Sequence, residues 1–177
     1  MQALLERVSF LFTGPRPIQT GIVPGILTEQ RAALVRGRVI DRSGAGVAGV
    51  AVEVHGRPEL GGTRTRDDGA YDLVVNGGGE LTLTFERAGY VRSSRSAAVR
   101  WGESLVMPDL VLVQLDPVVT TIALGSADSQ VAAGSLVEDA DGARTTRVIF
   151  PPGTTAELEL PSGERVGVPT LSVRVTE

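Results

Sequence analysis

The chain has 177 residues, 42% of them hydrophobic and 21% charged, a composition that fits a folded domain and excludes a disordered one. Its net charge of -4 gives a nucleic-acid backbone no electrostatic reason to bind, and an aromatic content of 4% leaves no stacking platform for bases or sugars. Cysteine is absent, which excludes disulfides, a thiolate nucleophile and a sulfur-based zinc site.

All 17 basic residues are arginine, which reads as a genome bias towards GC-rich codons. The opening stretch MQALLERVSFLF is weakly apolar and interrupted by Glu6 and Arg7. It lacks the basic start, long apolar run and cleavage site of an export signal. No segment reaches the roughly 20 apolar residues a membrane helix needs. The expectation is a chain without its own export signal or membrane span, cut from something longer. MQALLERV is a helical candidate. LTEQRAAL is a second, with Thr28 as N-cap and Arg31 where a capping box would place Glu or Gln. Between them, TGPRPIQTGIVPG is too rich in proline and glycine for a regular element. It reads as an extended lead-in with polyproline character, laid on a surface by Ile18, Ile22 and Val23.

From Leu34 the rhythm changes. LVRGRVI reads as a strand and DRSGAG as a turn. VAGVAVEVH then places Val50, Val52 and Val54 on one face and Ala51, Glu53 and His55 on the other, the period of a half-buried strand. GRPELGG reads as a loop, TRT as a short strand, RDDG as a hairpin turn, AYDLVV as a strand and NGGG as a tight connection. ELTLTFE alternates Leu81, Leu83 and Phe85 against Thr82, Thr84 and Glu86. RAGY turns the chain, VRSSRSAAV is a polar, edge-like strand, and LVLVQL is a last buried strand. About seven short strands at this spacing predict a β-sandwich.

Asp116–Pro117 marks a boundary. Beyond it VVTTIAL, SQVAAGSLV, ARTTRVIF, AELEL and GVPTLSVRV read as further strands. The division expected is a lead-in over 1–33, a transthyretin-like or Ig-like sandwich over 34–116, and a second small β module over 117–177. The second module is near the lower size limit for independent stability. It is read as incomplete, so that it exposes apolar strand surface and pairs with other chain or another copy. The fold class is all-β.

TRDDGAYDL gathers Asp67, Asp68 and Asp72 around Gly69. Asp and Gly are turn formers, and calcium loops need a D-x-D-x-D-G spacing with a distant Glu that is missing here. VEDADGARTT holds Glu138, Asp139, Asp141 and Gly142, a partial calcium signature without its third Asp or closing Glu. Asp67, Asp68, Asp139 and Asp141 are therefore the calcium candidates, read first as turn residues, and no metal, cofactor or catalytic site is assigned. His55 is the sole histidine, with no G-x-S-x-G elbow to serve. NGGG opens no helix and so cradles no phosphate. FPPGTTAEL reads as a turn, with Thr154 and Thr155 lacking an adjacent His to drive self-cleavage. Trp101 is placed at the end of the sandwich, its N–H reaching a partner.

The run LVRGRVIDRSGAGVAGVAVEVHGRPELGGTRTRDDGAYDLVVNGGGELTLTFERAGYV resembles a carboxypeptidase regulatory-like domain. The resemblance rests on GRVID, the turn before GVAVEV, the T…DDGAY turn and the closing F.RAGY. With FLFTGPRPIQTGIVPG, LDPVVTTI and FPPGTTAELELPSG, the chain from about Phe10 to Glu177 resembles the N-terminal region of bacterial RHS/YD-repeat, teneurin-like proteins. That resemblance implies a transthyretin-like sandwich and, after it, a plug-like module, both non-enzymatic and structural. It implies a partner in the rest of a larger YD-repeat polypeptide, whose shell they pack against or seal, and it favours an extracellular or cell-surface setting. The rival readings are a calcium- or carbohydrate-binding surface module, and a transthyretin-like hydrolase that a single His makes a poor fit.

Overall fold

The computed structural model describes residues 3–177. Met1 and Gln2, the first residues of the expected N-terminal helix, lie outside the described residues. The chain divides into two units, Met1–Gln114 and Leu115–Glu177.

The first unit is a β-sandwich. One sheet contains β1 (Gln19–Ile22), β3 (Ala51–Val54), β4 (Leu60–Arg64), β6 (Gly79–Glu86) and β7 (Ser93–Val99) in the order β1-β4-β3-β6-β7, all antiparallel. The other is built on the nine-residue β2 (Ala32–Ile40). β5 (Ala70–Asn76) pairs antiparallel with β2, while β8 (Ser104–Val106) and β9 (Leu110–Val111) run parallel to its two halves. Period-two patterning sets the core: Val50, Val52 and Val54 point inward with Leu83 and Phe85, as their alternation predicts. They meet Val35, Tyr71, Leu73 and Val75 from the second sheet. Tyr71 and Phe85 touch edge to face, centroids 5.6 Å apart, a contact worth about 1 kcal/mol beyond the area it buries.

β2 and β5 are enclosed on both faces, which explains why AALV and LVV read as continuous apolar runs. Their second face is covered by α1 (Leu4–Val8) and the 3-10 turn directly after it. There Val8 and Leu11 pack on Leu34 and Val74.

Four expectations need correction. LTEQRAAL is not a helix: the N–H groups of Arg31 and Ala32 both donate to the Thr28 carbonyl, and the chain then enters β2. Pairing with β5 and burial of Ala32–Leu34 outweigh a modest helix propensity. The lead-in does contain a regular element, since β1 pairs with β4 while Pro15, Pro17 and Pro24 lie outside its four residues. β4 starts at the fully buried Leu60, inside the segment expected to be a loop. LVLVQL is paired with β2 only at Leu110–Val111, and β8, within RWGESLVMP, was not anticipated.

The second unit is four two-stranded ribbons. β10 (Thr120–Ala123) pairs with β17 (Thr170–Val173), and β11 (Gln130–Ala133) with β14 (Arg147–Phe150). β12 (Val137–Asp139) pairs with β13 (Gly142–Arg144), and β15 (Glu157–Glu159) with β16 (Arg165–Gly167). Its core is Ile122, Ala132 and Val175, with Leu124, Phe150, Leu171 and Val173 packed alongside.

Candidate functional site

The acidic turn of TRDDGAYDL joins β4 to β5, and these strands lie in different sheets. It is a corner between the layers of the sandwich, not the hairpin expected. Asp68 behaves as turn chemistry dictates: its Oδ1 accepts the Ala70 N–H at 2.9 Å. Its carbonyl accepts Arg38 Nε at 2.7 Å, so the turn is also tied to β2. Gly69 has φ +82°, and a Cβ there would lie 2.1 Å from the Val39 carbonyl oxygen. Only glycine meets both demands. Asp67 and Asp68 face solvent.

Asp72 does something different from its neighbours. It is buried, and Arg36 holds its Oδ1 through Nε (3.1 Å) and Nη2 (2.9 Å) while Arg66 Nη1 holds Oδ2 at 2.8 Å. Arg36 and Asp72 are cross-strand partners in the β2–β5 register. This carboxylate is consumed by two guanidinium groups. The partner could not be named from the sequence, because it depends on the β2–β5 register.

The other acidic turn is the β12–β13 hairpin. Asp139 Oδ1 accepts the Asp141 N–H at 3.0 Å and Arg144 Nη1 at 2.8 Å. Arg144 also bonds Glu177, and hydrogen bonds to Glu177 and then Asp139 raise its pKa further above the usual range. Asp141 is exposed. Among the described residues, no group of three or more His, Asp or Glu converges as a metal site.

His55 lines a shallow cleft of about 330 Å³ with Thr82, Thr84, Arg92, Ser93 and Ser94 on the outer face of the five-stranded sheet. Burial pushes the Tyr71 hydroxyl up to about 12, with a small opposing pull from Arg95, so it stays protonated at neutral pH. Trp101 remains 58% exposed, its Nε1 donating to the Gly77 carbonyl at 2.9 Å. The NGGG turn fits beneath it: a Cβ on Gly78 would come within 1.9 Å of that indole nitrogen. In FPPGTTAEL, Thr154 Oγ1 donates to the Pro151 carbonyl at 2.7 Å, as in an ordinary turn.

Two buried amides were missed by the sequence reading. Gln19, 1% exposed, places its side chain like a piece of backbone: Nε2 donates to the Leu60 and Val74 carbonyls, and Oε1 accepts the Val74 N–H. It links β1 to both sheets. Asn76 closes the end of β5. Nothing in local spacing marks either residue, because their partners are more than 40 positions away.

These features describe a transthyretin-like β-sandwich in which Gln19, Asp68, Asp72 and Asn76 hold turns, edges and layers together. The segment 27–112 matches the family model of the teneurin TTR-like domain, and its sandwich is similar to that type of domain. Teneurin-m of Drosophila melanogaster is 40% identical over 113 residues, covering 64% of this chain and 4% of that protein. Teneurin-3 of Danio rerio is 36% identical over 63% of this chain and 4% of its own length. Teneurin-4 of Homo sapiens is 30% identical over 63% and 4%. The chain thus spans about 4% of the length of these relatives. Among solved structures, a streptococcal ancillary pilin aligns with 85% of this chain and 60% of its own at TM-score 0.40 and 10% identity.

Proposed function

We propose that this chain is a non-enzymatic structural and interaction region of a larger polypeptide. In this reading the sandwich packs against, and the second module seals, the shell of an RHS/YD-repeat protein. The observation that carries it is the apolar surface of the second unit. Val131 and Ile149 face each other across β11 and β14 at 49% and 67% exposure. Leu136 and Leu158 are exposed as well. Ribbons this short are marginal in water and expend apolar side chains on surfaces meant for other protein. The teneurin match supports a structural module.

The test is to sequence the reading frame past Glu177 and to express the chain both alone and extended by the residues encoded there. YD repeats in that extension, together with slowed amide exchange at Val131 and Ile149 in the longer protein, fit the proposal. A longer protein in which those amides exchange as in the isolated chain defeats it. Concentration-dependent sedimentation of the isolated chain, with those same amides protected in the oligomer, would assign the surface to a second copy instead.

A further inference from the structure

We propose that Asn76–Gly77 is a latent deamidation site, held shut by the segment that leads into β2. Asn76 is the sole asparagine of the chain, and glycine comes directly after it. Asn-Gly is chemically the most vulnerable setting for asparagine, because no side chain hinders ring closure. The Gly77 nitrogen, losing its proton, bonds to Asn76 Cγ. The Cγ–Nδ2 bond breaks and the nitrogen leaves as ammonia. Water then opens the cyclic imide at either carbonyl, giving aspartate or isoaspartate.

In the fold both reacting groups, the Asn76 amide and the Gly77 N–H, are held by hydrogen bonds. Asn76 is 4% exposed. Its Oδ1 accepts the Thr28 N–H at 3.1 Å, and its Nδ2 donates to the Ile26 carbonyl at 2.6 Å. These partners fix the amide's orientation, since a reversed amide would set donor against donor and acceptor against acceptor. The Gly77 N–H, the prospective nucleophile, donates to the Arg31 carbonyl at 2.8 Å. Ile26, Thr28 and Arg31 all belong to the stretch before β2, so the contacts that dock this stretch also block the chemistry. The Gly77 carbonyl is held too, by Trp101 Nε1 at 2.9 Å.

The products would not restore the latch. An aspartate oxygen replaces the Nδ2 donor and faces the Ile26 carbonyl, acceptor to acceptor. Isoaspartate instead lengthens the backbone at the residue that pairs with Ala32. Either product weakens the hold of Asn76 on residues 26–31, so the stretch opens more often than before conversion.

Mass-spectrometric peptide mapping of the intact chain during incubation at mildly alkaline pH tests this. Conversion at Asn76 should be on the order of 30-fold slower in the folded chain than in guanidinium, as a local opening equilibrium dictates. Thr28→Pro removes the N–H that holds Oδ1 and should speed conversion in the folded chain roughly fivefold to tenfold. Equal rates folded and in guanidinium overturn the proposal, as does an unchanged rate in a folded Thr28→Pro chain. If that variant does not fold, Asn76→Asp decides. Roughly tenfold faster amide exchange at Thr28 and Gly77 supports the latch, the size expected from losing one such hydrogen bond, and unchanged exchange overturns it.

Discussion

The first unit pairs strands of up to nine residues into two facing sheets, while the second pairs strands of three or four residues two at a time. Both are written in the same idiom of β-branched runs punctuated by glycine. What separates them is whether the apolar period-two face finds a second sheet. Val50, Val52 and Val54 do; Val131 and Ile149 do not. Patterning therefore specifies a strand's faces, and closure depends on how many long strands are available to share them.

The largest effect should come from the shared core. Phe85→Ala removes the ring against Tyr71 and should cost the first unit about 3–5 kcal/mol, read by urea denaturation with Trp101 fluorescence. Ile122→Ala in the second unit should cost less than half of that, because its small core can relax around the loss. Equal costs would mean that the second unit is as closely packed as the first. Next, Gly69→Ala should cost the first unit about 2–3 kcal/mol, from the positive φ and the Val39 contact. A milder result would mean the corner between sheets can move. Asp72→Asn should cost about 1 kcal/mol, measured in low salt, and the loss should shrink at high salt because both arginines are half exposed.

Acid and alkali should separate the units further. The Asp116 carboxylate is held below its ordinary value by the N–H groups of Ser135 and Val118. A lowered folded pKa adds stability above the ordinary carboxylate range and loses it as pH falls through the depressed value. Tyr71 has the opposite sign: its contribution is complete below pH 10.0 and is lost as pH rises towards about 12. Circular dichroism of Asp116→Asn and Tyr71→Phe should show the acid-side change in the first variant and the alkaline-side change in the second. The smallest effect should be that of calcium. With Asp139 engaged by Arg144, and Asp67 and Asp68 on an open turn, calorimetric titration should give no binding heat. A saturable heat lost in Asp139→Asn would reinstate the second unit's hairpin as a site.

What was legible in the sequence was local. Alternation placed Val52, Val54, Leu83 and Phe85 inward, and Asp-Gly chemistry placed a turn at Gly69, though as a hairpin and not as a corner between sheets. What was illegible depended on distant partners. β1 exists because Gln19 and Ile22 meet Thr63 and Leu60, and proline-rich flanks concealed it. LTEQRAAL carried a helical composition that a central strand overrode. Asp72 looked like a third member of an acidic cluster until β2 supplied Arg36. At each of these positions the deciding contact is dozens of residues away.

The parallel pairing of β8 and β9 with β2 has a consequence for how the molecule is made. A chain emerging from the ribosome delivers β2 and then β5, which can join at once as an antiparallel pair. The opposite edge of β2 must wait until residues 104–111 have been synthesised. Through that interval an apolar strand presents a free edge to whatever nascent protein lies nearby. The order of synthesis thus leaves this edge of the central strand as the last part of the second sheet to be covered.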